Sequence, residues 1–153
     1  MADLSIRKAT FHDLPALVPM ARRFYATTDY RAIAPEPDDQ ALANIGAGLI
    51  RDGVFLVAER GGAIVGMVGL LVTPFAFAPV HRTAHEVMWW VEPDAQGAGA
   101  GRALLEAAIE ACRNGGIRAI QMLHLATSPP HAAAAYSAAG FVHSESSYMK
   151  VLE

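Results

Sequence analysis

The stretch Gln96-Gly97-Ala98-Gly99-Ala100-Gly101-Arg102 holds the residues best suited to bind an anion. It follows an apolar run that stops at Pro93, and it leads into a helical pattern that opens at Arg102-Ala103-Leu104-Leu105. A helix start leaves backbone N–H groups without partners, and the helix dipole adds positive potential there. Glycines turn tightly and let a ligand approach with no Cβ in the way. Strand, glycine turn and helix together suggest a phosphate cradle. Two common versions of such a cradle do not fit. The nucleotide loop that ends in Gly-Lys-Ser/Thr needs a lysine on the phosphates, and here the glycines run into Arg102-Ala103. The dinucleotide fingerprint has G-x-G-x-x-G spacing and an acidic residue about 20 positions on. Here the spacing is G-x-G-x-G, and the region around Gln121 offers no carboxylate.

Other reactive residue types narrow the chemistry further. Cys112 is the only cysteine, so no intrachain disulfide forms. It sits at apolar spacing on the helix after the glycine turn and reads as a core thiol. The six histidines show no ligand spacing, and no metal is expected. Net charge is −3 with no basic run, which argues against a nucleic-acid surface. No apolar run approaches the roughly 20 residues a membrane helix needs. Met1-Ala2-Asp3-Leu4-Ser5 shows no leader pattern, so the expected location is cytoplasmic. A chain of 153 residues is long enough for one domain, 1–153, with a substantial core.

These residues need elements to hold them. Residues 4–10 alternate loosely as a first strand, and Thr10, His12 or Asp13 can cap the helix that follows. Leu14, Leu17, Val18, Ala21, Phe24 and Tyr25 recur at helical spacing. Residues 27–37 read as a loop, and a second helix runs from Pro37-Asp38-Asp39 to Asp52-Gly53. Strands are expected at 54–60 and 63–72, joined by a two-residue turn at Gly61-Gly62. Residues 75–82 read as a loop, and 84–91 as the strand before the glycine turn. After the helix come a strand over 119–125, a short alanine-rich helix over 131–139, and strand pieces at 141–142 and 148–152. Antiparallel strands early and strand–helix–strand units late predict a mixed α/β sheet with helices on both faces.

Gln96, Gly99 and Gly101 match the pattern Q/R-x-x-G-x-G/A position for position. Downstream, Ala132, Tyr136, Gly140 and Phe141 match A-x-x-x-Y followed by Gly-Phe. The two motifs, in this order, resemble motifs A and B of the GNAT superfamily of acetyl-CoA-dependent N-acetyltransferases. The opening Ile6-Arg7-Lys8-Ala9-Thr10 and the hairpin around Gly61-Gly62 are similar to the same family, so the resemblance spans the whole chain. One departure is Pro129, next to Ser128, where the family often has an Asn on the pantetheine arm.

The resemblance implies a GNAT-type fold, acetyl-CoA as cosubstrate and a small-molecule or peptide amine as acceptor. A homodimer is one assembly it admits. The pyrophosphate would lie on the N–H groups of Gln96, Gly97, Ala98, Gly99, Ala100, Gly101 and Arg102, with a charge contact from Arg102. The pantetheine arm would lie between the strands at 84–91 and 119–126, against backbone near Trp89, Val91 and Pro93. An alkyl amine is mostly protonated at neutral pH and needs a base. Glu86 and His85 are the candidates; being adjacent, they face opposite sides of a regular strand, unless a bulge intervenes. Family usage favours Glu86, and His124 is a weaker candidate. Tyr136 matches the family's general acid for the departing thiolate. The alternative is an acyl-CoA-binding module of the same fold without catalysis. Acceptor choice falls to residues 27–37, 73–82 and the segment after Phe141, with Tyr25, Tyr30, Phe75, Phe77 and His81 as candidate lining residues.

Overall fold

The computed structural model describes residues 2–153. Five strands form one sheet in the order β1 (Leu4–Lys8), β2 (Val54–Arg60), β3 (Ala63–Phe75), β4 (Ala78–Val91), β5 (Ala119–Gln121). The first three pairings are antiparallel, and β4–β5 is parallel. Helices α1 (Leu14–Ala26) and α2 (Asp39–Asp52) cover one face, and α3 (Ala100–Asn114) covers the other. A fourth helix, α4 (Pro130–Ala138), follows β5. This is the mixed sheet with helices on both faces that the element order predicts.

Local chemistry sets the element boundaries. The Asp13 carboxylate accepts the Thr10 N–H at 2.7 Å and both Arg7 Nη donors at 2.8 Å, which ties β1 to the start of α1. Arg7 holds the Asp13 carboxyl down at about 2. Asp38 caps α2 by accepting the Ala41 N–H at 2.7 Å. Gly61 and Gly62 both take positive φ, 60° and 79°, as a tight β2–β3 turn of this kind requires.

The apolar run in β2 is continuous because both faces of the sheet are covered. Phe55 and Val57 join Leu17, Met20, Leu49, Met67 and Met88 under α1 and α2. Leu56 and Ala58 join Val68, Leu70, Ala84, Leu104, Ala108 and Cys112 under α3.

Three expectations change. Residues 75–82, read as a loop, belong to a long β3–β4 hairpin that turns at Ala76-Phe77. Its tip projects apolar side chains into solvent, Phe77 being 90% exposed, so the burial pattern that marks a strand in a sequence is missing there. The strand expected over 119–125 stops at Gln121, because β4 bulges and the two chains separate. The pieces at 141–142 and 148–152 are not strands. Three-residue β5 offers them little ladder to extend, and Tyr148 and Leu152 remain exposed. Among the described residues, no helix is long and apolar enough to cross a membrane.

Candidate active site

The site begins with an extra residue in β4. Gly69 pairs with Met88 and Leu70 pairs with Glu86, so Val87 is a bulge with no partner of its own. Ala84, before the bulge, packs in the α3-side core; Met88, after it, packs in the α1–α2 core. The bulge therefore lets Glu86 and Trp89, three positions apart, face the same side of the sheet. It also ends the β4–β5 pairing, whose last partners are His85 and Gln121.

Glu86 points into the gap that opens there. Its Oε2 accepts the Leu123 N–H at 2.5 Å and lies 3.4 Å from the Tyr136 hydroxyl. The hydroxyl has one proton, and its nearer acceptor is the Leu123 carbonyl at 2.7 Å. The Tyr136 ring lies between Trp89 and Phe141, with centroids 5.3 and 5.7 Å away. Burial with no cation nearby pushes the Glu86 carboxyl up to about 7, although bonds from Leu123 and Tyr136 pull the other way. Burial, then the charge and hydrogen bond of Glu86, push the Tyr136 phenol above its ordinary range. At neutral pH the pair thus holds a carboxyl near its midpoint beside a phenol that keeps its proton. A group that titrates near the working pH can take up a proton and release it efficiently.

His85 is turned the other way, with Nδ1 2.9 Å from Gln121 Oε1 and Nε2 3.0 Å from Thr83 Oγ1. Both ring nitrogens are engaged away from Tyr136. His124 is exposed, and its Nε2 lies 3.4 Å from the Pro129 carbonyl, with no hydrogen bond to Glu86 or Tyr136. Cys112 is buried in the α3-side core, and burial pushes its thiol up to about 11. Among the described residues, no group of three or more His, Cys, Asp or Glu side chains is placed to hold a metal ion.

The glycine loop lies past the end of the same strand. Gln96 Nε2 donates to the Val91 carbonyl at 3.0 Å and pins the loop to β4. Gly97 and Gly99 take φ of 79° and 89°, and Gly99 is the N-cap of α3. The N–H groups of residues 97–102 donate to no protein acceptor among the described residues. Residues 96–99 are exposed, so these donors are open to an anion. Arg102 is 83% exposed and forms an i,i+4 ion pair with Glu106 at 2.7 Å. Trp89 lies over the helix start, its ring 3.6 Å from where a Cβ on Gly101 would sit. Its buried indole N–H has no partner. Free donors along the loop and an orphaned one beside it suit a ligand rich in phosphate and amide oxygens.

The structure thus brings Glu86 and Tyr136 together, with Trp89 reaching from Tyr136 to the start of α3, while the side chains of His85 and His124 bond elsewhere. Two participants had no sequence signal. Leu123 acts through its backbone, which any residue carries. Arg60 reaches the loop from 38 positions away.

Residues 18–141 match the model of the Acetyltransferase (GNAT) family. A mycothiol acetyltransferase from Cellulomonas flavigena is 37% identical over 91 residues, which are 57% of this chain and 26% of that protein. The chain therefore spans only about a quarter of that relative. The crystal structure of a predicted acetyltransferase from Clostridium acetobutylicum, with acetyl-CoA, superposes with a TM-score of 0.74 at 18% identity, over 98% of this chain and 96% of that one. A ribosomal-protein-alanine N-acetyltransferase from Brucella melitensis gives 0.73 at 19% identity, over 99% of this chain and 100% of that one. Likeness at such identities shows a shared fold. The family match covers most of the chain, from within α1 through Phe141, and on that match this chain belongs to the acetyltransferase (GNAT) family.

Proposed function

We propose that this protein transfers the acetyl group of acetyl-CoA to a primary amine. The observation that carries the reading is the Glu86–Tyr136 pair at the mouth of the β4–β5 gap, on the same end of β4 as the free N–H groups of residues 97–102. Those groups, with the Gln96-anchored loop, are suited to the pyrophosphate. Backbone freed by the bulge, including the end of β4 near Val91, is suited to the amide-rich arm. Arg102 adds positive charge at the helix start, shared with Glu106. The Clostridium acetobutylicum structure with acetyl-CoA and the N-acetyltransferase from Brucella melitensis support the donor and the amine acceptor as proposals for this fold.

In this reading Glu86, directly or through water, takes a proton from the ammonium form of the acceptor. The neutral amine attacks the thioester carbon, a C–N bond forms and the C–S bond breaks. Tyr136 gives its proton to the departing thiolate, the resulting phenolate takes the extra proton left on the acylated nitrogen, directly or through water, and Glu86 releases its proton to solvent. The products are an N-acetyl amine and CoA.

Thiol release from acetyl-CoA across a panel of small amines and N-terminal peptides tests the proposal. Wild-type protein should release thiol only with an acceptor present, and Tyr136→Phe should lower kcat on the order of 100-fold. Acetyl-CoA binding with no turnover on any acceptor would instead leave a non-catalytic binding module. Unchanged turnover in Tyr136→Phe would remove the tyrosine from the chemistry.

A further inference from the structure

We propose that Arg60 is a positioning residue for the phosphate-binding loop and supplies that loop with a positive charge that no carboxylate neutralises. This rests on the acetyl-CoA reading above. Arg60 ends β2, at the turn Gly61-Gly62, and its Nη2 donates to the Ala98 carbonyl at 3.1 Å. The Nε of the same guanidinium is buried and has no partner.

Two features make this contact more than a surface bond. First, Ala98 sits between Gly97 and Gly99, both at positive φ and both without atoms close to where a Cβ would be. Glycine on either side leaves the neighbouring peptide planes free to turn over. In a planar trans peptide the C=O and the following N–H point in opposite directions. Holding the Ala98 carbonyl toward Arg60 therefore aims the Gly99 N–H away from it, on the opposite side of the loop. Without the clamp, the 98–99 peptide can flip and present a carbonyl where an anion needs a donor.

Second, Arg60 makes no ion pair, whereas several other arginines of the molecule do. Arg102 is bound to Glu106, Arg23 to Glu92 and Arg7 to Asp13 and Glu59. Arg60 has no carboxylate oxygen within 4 Å among the described residues, and its one bond is to a neutral carbonyl. Its charge therefore adds to the helix-start potential rather than cancelling against a neighbour.

The test compares donors with and without phosphates. Arg60→Met keeps the apolar stem and removes every donor; Arg60→Lys keeps the charge and one route to the carbonyl. With acetyl-CoA, Arg60→Met should raise KM about tenfold with kcat unchanged, the loss expected for one charge-assisted bond and its ordering effect. Arg60→Lys should recover most of the loss. With S-acetylpantetheine, which has no phosphate, Arg60→Met should match wild type. An unchanged KM for acetyl-CoA, or an equal loss with both donors, overturns the assignment; the second result would mark a merely structural arginine. Calorimetry separates this from the functional reading. If wild-type protein binds neither CoA nor acetyl-CoA, the acetyl-CoA reading fails, and inorganic pyrophosphate decides Arg60. Binding of pyrophosphate that Arg60→Met abolishes upholds the clamp, and no difference between the two proteins overturns it.

Discussion

A carboxyl group taken out of water with no cation beside it keeps its proton to higher pH. Glu86 is such a group, and its position near 7 makes two predictions at the residue scale. In the role of base proposed for it Glu86 works only when ionised, so kcat/KM should rise through about pH 7 and then level off. Glu86→Gln should lower the plateau on the order of 100-fold and remove that rise. The same shift bears on stability, with the opposite sign from a paired carboxylate. The folded state binds the proton more tightly than the unfolded chain, so ionisation destabilises the fold as pH rises from 4.5 to about 7. The cost is complete above 7 and absent below 4.5. Glu86→Gln should therefore raise Tm at pH 8 and leave it unchanged at pH 4, with a gain of at most about 3 kcal/mol. Melting curves at the two pH values check this. A loss of stability at pH 8 would mean that the bond to Leu123 outweighs the burial of the charge.

At the scale of elements, the bulge at Val87 and the turn before α3 carry the site. A bulge adds one residue, bends its strand and interrupts pairing with the neighbour. Removing Val87 would return β4 to plain alternation with Ala84, Glu86 and Trp89 still on the α3 side. The core would keep its faces, but β4 and β5 could pair beyond His85 and Gln121 and close the gap. Deletion of Val87 is thus expected to abolish acetyl-CoA binding by calorimetry while the protein stays folded by circular dichroism. The turn makes a separate demand. Gly99 sits at φ 89° with open space around it, so an added methyl meets no atom but strains the backbone. Gly99→Ala should cost about 1–2 kcal/mol in chemical denaturation and raise the KM for acetyl-CoA, because the relaxed turn would re-aim its N–H groups.

The whole molecule is a sheet held between two apolar layers, and the layer under α3 also carries the helix that presents the loop. Leu104 is fully buried there with Leu70, Val68 and Ala108. Leu104→Ala should destabilise by about 2–5 kcal/mol, read as a lower urea midpoint. Much of this architecture is legible in the sequence, because it rests on neighbours along the chain. The unbroken apolar run Val54–Ala58 signals a strand covered on both faces. Gly61-Gly62 signals a tight turn, Asp38 a helix start, and residues 96–101 a loop that only glycines could shape. The apolar stretch Tyr148–Leu152 read as a strand too, but it found no strand to pair with. What the chain could not encode locally was register between distant segments. The choice of Glu86 over His85 depends on which residue of β4 is left without a partner on β3, and thus on pairing with Gly69 and Leu70. Leu123 enters through backbone atoms common to every residue, and Arg60 through the packing of the β2–β3 turn beside Ala98. The sequence by itself determined most of the elements and the glycine turn, since propensity, spacing and φ demands act over a few residues, and it named Tyr136 as candidate acid only through the resemblance to the family. Tertiary structure alone decided which carboxyl meets Tyr136 and which arginine meets the loop, since those contacts exist only once strand register places the two partners together.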